Sequence, residues 1–119
     1  NEQENMVTIY HNPRCSKSRQ ALGLLEGQGI EPKIIEYLKT PPTQKDLSEI
    51  LNKLGKEPRE IMRTGEKEYK ELGLKDADLN RKELIKIMVE HPQLIERPIV
   101  LKDDKAALGR PPEDVLKII

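Results

Sequence analysis

The chain reads as an α/β protein: a four-stranded mixed sheet with helices on its faces, ordered β-α-β, then a helical insert, then β-β-α. Three observations predict this. Two short β-branched runs, Val7–Tyr10 and Lys33–Leu38, flank an amphipathic run from Arg19 to Glu26. A helix between two nearby strands is a βαβ unit, which makes those strands parallel. From roughly Pro41 to Pro92 the signals are helical, and strand character returns after Arg97.

The elements follow in order. Val7–Tyr10 is expected to be the central strand. Ser16 or a neighbour caps the first helix, whose apolar stripe is Ala21, Leu22, Leu24 and Leu25, and Gly27 and Gly29 end it. Lys33–Leu38 is the second strand. Thr40-Pro41-Pro42 breaks the pattern, and Thr43 with Asp46 three residues on forms a capping box. The helix it opens carries Leu47, Ile50, Leu51 and Leu54 on one face and closes at Gly55. Short helical pieces are expected at Arg59–Arg63 and Tyr69–Leu72. Asn80 and Glu83 form a second capping box, for a helix with Leu84, Ile87 and Met88, and less cleanly Ile85, facing inward. His91-Pro92 ends it, and His91 reads as a C-terminal residue that favours the helix dipole. Pro98–Leu101 and Lys105–Leu108 form a hairpin about Asp103-Asp104. Pro111 or Pro112 starts a final helix, Glu113–Ile119. One domain spanning 6–119 and carrying the insert is expected. Asn1–Asn5, polar and aperiodic, reads as a disordered or expression-derived lead-in without function.

Composition narrows the function. The 119 residues include 21 basic and 21 acidic side chains, a zero net charge that argues against a general nucleic-acid or polyanion binder. With no Trp, no Phe and three Tyr, there is no aromatic platform for stacking bases. The absence of a signal peptide or long apolar run points to no membrane association and, with one cysteine, to a reducing cytoplasm. One cysteine and two distant histidines make no metal cluster, and no Gly-rich nucleotide loop is present.

The chemistry concentrates at Cys15. It follows the first strand and opens the first helix, where unpaired N–H groups and the macrodipole favour negative charge. Arg14, Lys17 and Arg19 add cations, and no carboxylate lies between His11 and Ala21. These features favour the thiolate, which is the nucleophile, and equally favour a bound oxyanion. The competing reading is an inert buried cysteine. Placement and charge favour the reactive one. Any redox role requires a second thiol from another molecule.

The strings IYHNPRCSKSRQAL, IMRTGE, ERPIV and GRPPE, in this order along the chain, resemble the glutaredoxin-like arsenate reductases, of thioredoxin/glutaredoxin fold. The resemblance spans about Met6 to Ile119. It implies that Cys15 attacks arsenate and that Arg63, Arg97 and Arg110 hold the oxyanion, for which planar, permanently charged guanidinium groups suit. Each arginine taken alone reads as an ordinary surface residue. Arg97-Pro98 matches the place where thioredoxin-like folds carry a cis-proline facing the cysteine. His11 matches the family's loop histidine, acting on the thiolate, positioning a neighbour, or simply bonding the backbone. Ser18 and Arg19 match the Ser-Arg after the cysteine: Ser18 as a hydrogen-bond donor to sulfur or oxyanion, Arg19 as a helix-fixing or anion-binding residue. Ser16-Lys17 stands where the best-characterised branch reads Gly-Thr, and CSKSR resembles a chromosomal branch.

The implied activity is arsenate reduction to arsenite, using glutathione as co-substrate and a glutaredoxin as partner, by a monomer with no tightly bound cofactor. Two alternatives stay open. One is a non-enzymatic transcriptional adaptor resembling the Spx regulators, although those typically carry C-x-x-C where this chain has Ser18. The other is a glutathione-dependent monothiol oxidoreductase, which would not need the arginine set. A cysteine phosphatase is excluded, because those loops place five residues between Cys and Arg whereas three separate Cys15 from Arg19.

Overall fold

β1 (Val7–His11) pairs in parallel with β2 (Lys33–Glu36) and antiparallel with β3 (Ile99–Lys102), which in turn pairs antiparallel with β4 (Lys105–Leu108). The order β2-β1-β3-β4 is the expected four-stranded mixed sheet, with β1 in its interior. The computed structural model describes residues 6–119, so the reading of Asn1–Asn5 lies outside the described residues. The chain forms two compact units, one running to Thr40 and resuming at Arg97, the other Pro41–Glu96.

In the sheet unit, alternation along β1 sends Val7 and Ile9 to one face. There they bury with Ala21 and Leu25 of α1 (Ser16–Gly27), Val100 of β3 and Val115. Ala21 and Leu25 are four residues apart and so share a helix face. The helix ends on Gly29, whose φ of 77° lies in the left-handed region. Gly29 N–H donates to the Glu26 carbonyl and Ile30 N–H to that of Leu25, a Schellman ending, and Ile30 packs back on the core. β2 stops at Glu36, short of Leu38. Glu36 is the last residue in register with β1, opposite His11, and its carbonyl accepts from both Lys39 and Thr40 N–H as the chain turns away.

The final segment differs from expectation. It is a 3₁₀ helix, Pro112–Ile118, with Pro111 at its cap. Val115 and Ile118, like Leu116 and Ile119, are three apart, a spacing that lines up at three residues per turn.

In the other unit, α2 (Gln44–Leu54) and α4 (Arg81–Glu90) both open with the expected capping boxes. Thr43 Oγ1 accepts from Asp46 N–H at 3.0 Å and Asn80 Oδ1 from Glu83 N–H at 2.8 Å. Leu47, Ile50 and Leu51 of α2 are buried, as are Leu84, Ile85 and Met88 of α4. Ile87 is only partly covered, so the stripe on α4 is narrower and centred on Met88, with Leu84 and Ile85 on either side. The piece expected at Arg59–Arg63 is a 3₁₀ turn, Pro58–Ile61, because Met62 leaves it to form a β-bridge with Ile95. The piece expected at Tyr69–Leu72 is α3 (Lys67–Glu71). A 3₁₀ turn at Pro92–Leu94 follows α4. Main-chain bonds from Arg63 N–H to Leu94 O and from Glu96 N–H to Ile61 O flank the bridge and tie residues 93–96 to this unit.

Candidate active site

The site is built where β1 ends and α1 begins. Asn12 shapes the connection with three of its polar groups. Its carbonyl accepts from Cys15 N–H at 3.0 Å, its Oδ1 accepts from Arg14 N–H at 3.0 Å, and its N–H donates to Ser18 Oγ at 3.0 Å. The first two are the turn bonds that Asn before Pro favours. They leave Cys15 at the N-cap of α1, one residue earlier than the first turn, with extended backbone (φ −91°, ψ 123°).

That position decides the sulfur's environment. No side-chain oxygen caps α1. The sulfur takes the place of one, facing the backbone N–H groups of Lys17 and Ser18, the second and third helical residues. Burial disfavours the thiolate. The Ser18 N–H, then the Arg97 side chain by hydrogen bond and by charge, then the Lys17 N–H outweigh it, and the thiol is lowered from the ordinary value of 9.0. Cys15 remains partly exposed, so the thiolate is open to a reactant.

Arg97 and Arg110 come from the two ends of the β3–β4 hairpin. Gly109 N–H donates to the Pro98 carbonyl at 2.8 Å, bringing the segments together, and Arg110 Nε donates to the Arg97 carbonyl at 3.1 Å. One guanidinium therefore reaches the sulfur while the other is anchored to the first arginine's main chain. The peptide bonds Arg97-Pro98 and Arg110-Pro111 are both cis, the first where the family resemblance placed one.

His11 and Ser18 are buried beneath the loop, 6% and 0% exposed. His11 Nδ1 lies 2.6 Å from Ser18 Oγ. A hydroxyl has one proton and two lone pairs, so it can accept from Asn12 N–H while donating to a neutral imidazole. Burial, the largest influence, lowers the histidine from 6.5; Glu36 opposes this and Arg19 adds to it. The Ser18 hydroxyl is thus engaged with the loop, and what Ser18 presents to the sulfur is its N–H. Arg19 is exposed, and its N–H bonds the Cys15 carbonyl at 3.0 Å.

Arg63 belongs to the unit Pro41–Glu96. There its Nη1 donates to Glu96 at 2.6 Å and its Nε to Glu66 at 3.4 Å. Burial works against its charge, but Glu96 and then Glu66 more than offset this and raise it above its ordinary value. Sequence reasoning passed over Asn12, Glu66, Glu96 and Gly109. The Asn-Pro turn signal could have found the first and the three-residue spacing from Arg63 the second; the partners of Glu96 and Gly109 are distant in sequence. Among the described residues, no group of three or more His, Cys, Asp or Glu is placed to hold a metal ion.

Residues 10–118 match the model of the ArsC family. The chain belongs to the ArsC family. It is 52% identical over 114 residues to a Haemophilus influenzae protein named arsenate reductase, covering 95% of this chain and 98% of that one. It is also 52% identical over 114 residues to the uncharacterized protein YfgD of Escherichia coli K12, covering 95% and 96%. A solved arsenate reductase from Vibrio cholerae superposes with a TM-score of 0.92 at 52% identity, over 96% of this chain and 98% of that one. The α/β fold is thus the thioredoxin-like one of these ArsC relatives, as the four strings implied.

Proposed function

We propose that this ArsC-family chain reduces arsenate to arsenite through a Cys15 thiolate adduct, with glutathione as co-substrate and a glutaredoxin as reducing partner. The observation that supports it most is the set of donors on one sulfur: the N–H groups of Lys17 and Ser18 together with the Arg97 guanidinium. This set favours the nucleophilic form and suits an oxyanion bonded to it. Arg110, held on the Arg97 carbonyl, is the second anion-binding arginine, and Arg63 is proposed as a third from the family resemblance.

In the proposed reaction Cys15 sulfur bonds arsenic(V) and one arsenate oxygen leaves as water. Glutathione sulfur then attacks the adduct, and a glutaredoxin thiol resolves the mixed species. Overall, two thiols give up two electrons as a disulfide, arsenic passes from V to III, and Cys15 is regenerated. His11 and Ser18 are positioning residues, holding the loop so that Ser18 N–H meets the sulfur. No resident cofactor is needed. The proposed setting is a reducing cytoplasm, with the chain acting as a monomer. Among the described residues, no helix is long and apolar enough to cross a membrane.

Glutathione- and glutaredoxin-coupled NADPH oxidation tests this. Arsenate-dependent turnover should be present in the wild type and absent in Cys15→Ser. A second reading, monothiol reduction of glutathione mixed disulfides, draws on the same stabilised thiolate and on Ser18 where a second cysteine would stand. It leads if Cys15 alkylates rapidly at neutral pH yet arsenate gives no turnover. The adaptor reading leads if RNA polymerase is retained in a pull-down.

A further inference from the structure

We propose that Gly109 is a positioning residue for the anion-binding arginines: because it lacks a side chain, the Pro98 ring closes onto it, and that contact sets where Arg97 and Arg110 carry their guanidinium groups. The inference rests on the reading of Arg97 and Arg110 as oxyanion ligands. Three contacts in the sheet unit join the two segments. Gly109 N–H donates to the Pro98 carbonyl at 2.8 Å. Arg110 Nε donates to the Arg97 carbonyl at 3.1 Å. The third is steric. A Cβ on Gly109 would stand 2.5 Å from Pro98 Cγ and 3.1 Å from its Cδ, with Val115 Cγ1 at 3.2 Å.

A proline ring is short and stiff, and interiors are close-packed, so a methyl group there displaces backbone rather than a flexible side-chain end. Pro98 is bonded directly to Arg97, and Gly109 directly to Arg110. Displacing the contact therefore moves both arginines relative to the sulfur. Gly109 does not adopt the left-handed conformation. Its glycine identity follows from the room it leaves, not from its backbone angles.

The test compares wild type, Gly109→Ala, Val115→Ala and the double variant, in which loss of the Val115 methyls removes the 3.2 Å contact and gives the segment room to shift off the Pro98 ring. Two quantities are read: the pH profile of Cys15 alkylation by iodoacetamide, and protection of Cys15 from alkylation by arsenate. In Gly109→Ala the profile should move to higher pH, slowing alkylation at neutral pH about threefold or more. Arsenate protection should weaken, and the double variant should recover part of both. Val115→Ala alone should lower the melting temperature and leave the profile in place. If Gly109→Ala does not fold, the double variant read against Val115→Ala carries the same comparison. An unmoved profile, or equal movement in Gly109→Ala and Val115→Ala, overturns the proposal. Absence of arsenate protection in the wild type overturns the oxyanion reading instead.

Discussion

A thiolate at the N-cap of a helix is stabilised by groups that cannot be mutated away singly, since two are backbone N–H. Arg97 is the side chain that can. Its removal takes away a hydrogen bond and a positive charge from the sulfur, so the thiol regains ground and its titration rises toward 9.0. We expect Arg97→Ala to slow iodoacetamide alkylation at neutral pH roughly three- to tenfold and to shift its pH profile upward. Arg97→Lys should recover part of the shift, because it restores charge without the planar fork. A profile indifferent to Arg97 would assign the lowering to the helix alone. At this scale the sequence already marked Cys15, but the cation that acts on its sulfur is Arg97 rather than the neighbouring Arg14, Lys17 and Arg19, which are exposed. Nor could the sequence assign the Ser18 hydroxyl. A serine three residues into a helix can turn toward the sulfur or toward β1, and the buried His11 ring at 2.6 Å decides for β1.

Elements were legible where their signals are local. The capping boxes at Thr43/Asp46 and Asn80/Glu83 close with side chains three residues away, and both formed as read. Thr43→Ala should therefore destabilise the protein by about 1 kcal/mol, measured by urea unfolding, with Thr43→Ser close to neutral. Elements were misread where the deciding partner is distant. Nothing near Met62 announces that it will pair with Ile95, yet that bridge ends the preceding turn and places Arg63 and Glu96 for their 2.6 Å contact. The last segment carries a three-residue apolar spacing compatible with either kind of helix. A single turn of α-helix and of 3₁₀ differ little in sequence, and packing against the core around Val115 selects the tighter one.

Folding stability as a whole should carry the mark of the buried histidine. His11 is lowered from 6.5, first of all by burial, so the unfolded chain binds a proton more readily than the folded one. Stability from this group is complete above 6.5 and is lost as pH falls through that value toward the lower folded one. We expect the unfolding free energy to decline between pH 7 and 5, by at most about 1.4 kcal/mol per pH unit from His11, measured by urea unfolding across that range. His11→Gln should flatten that decline, and an equal decline in the variant would exclude His11 as its source.

The amino-acid sequence by itself determined the order of elements, the interior place of β1, the helix caps and a cysteine at the start of the first helix. All of these rest on periodicity, turn chemistry and charge within a few residues of one another. Folding had to supply the rest: Arg97 on the sulfur, Arg110 on the Arg97 carbonyl, Gly109 beneath Pro98, Glu66 and Glu96 on Arg63. All but Glu66, three residues from Arg63, join residues at least eleven positions apart. Such contacts depend on strand pairing and on close packing, and neither leaves a mark on the residues one at a time.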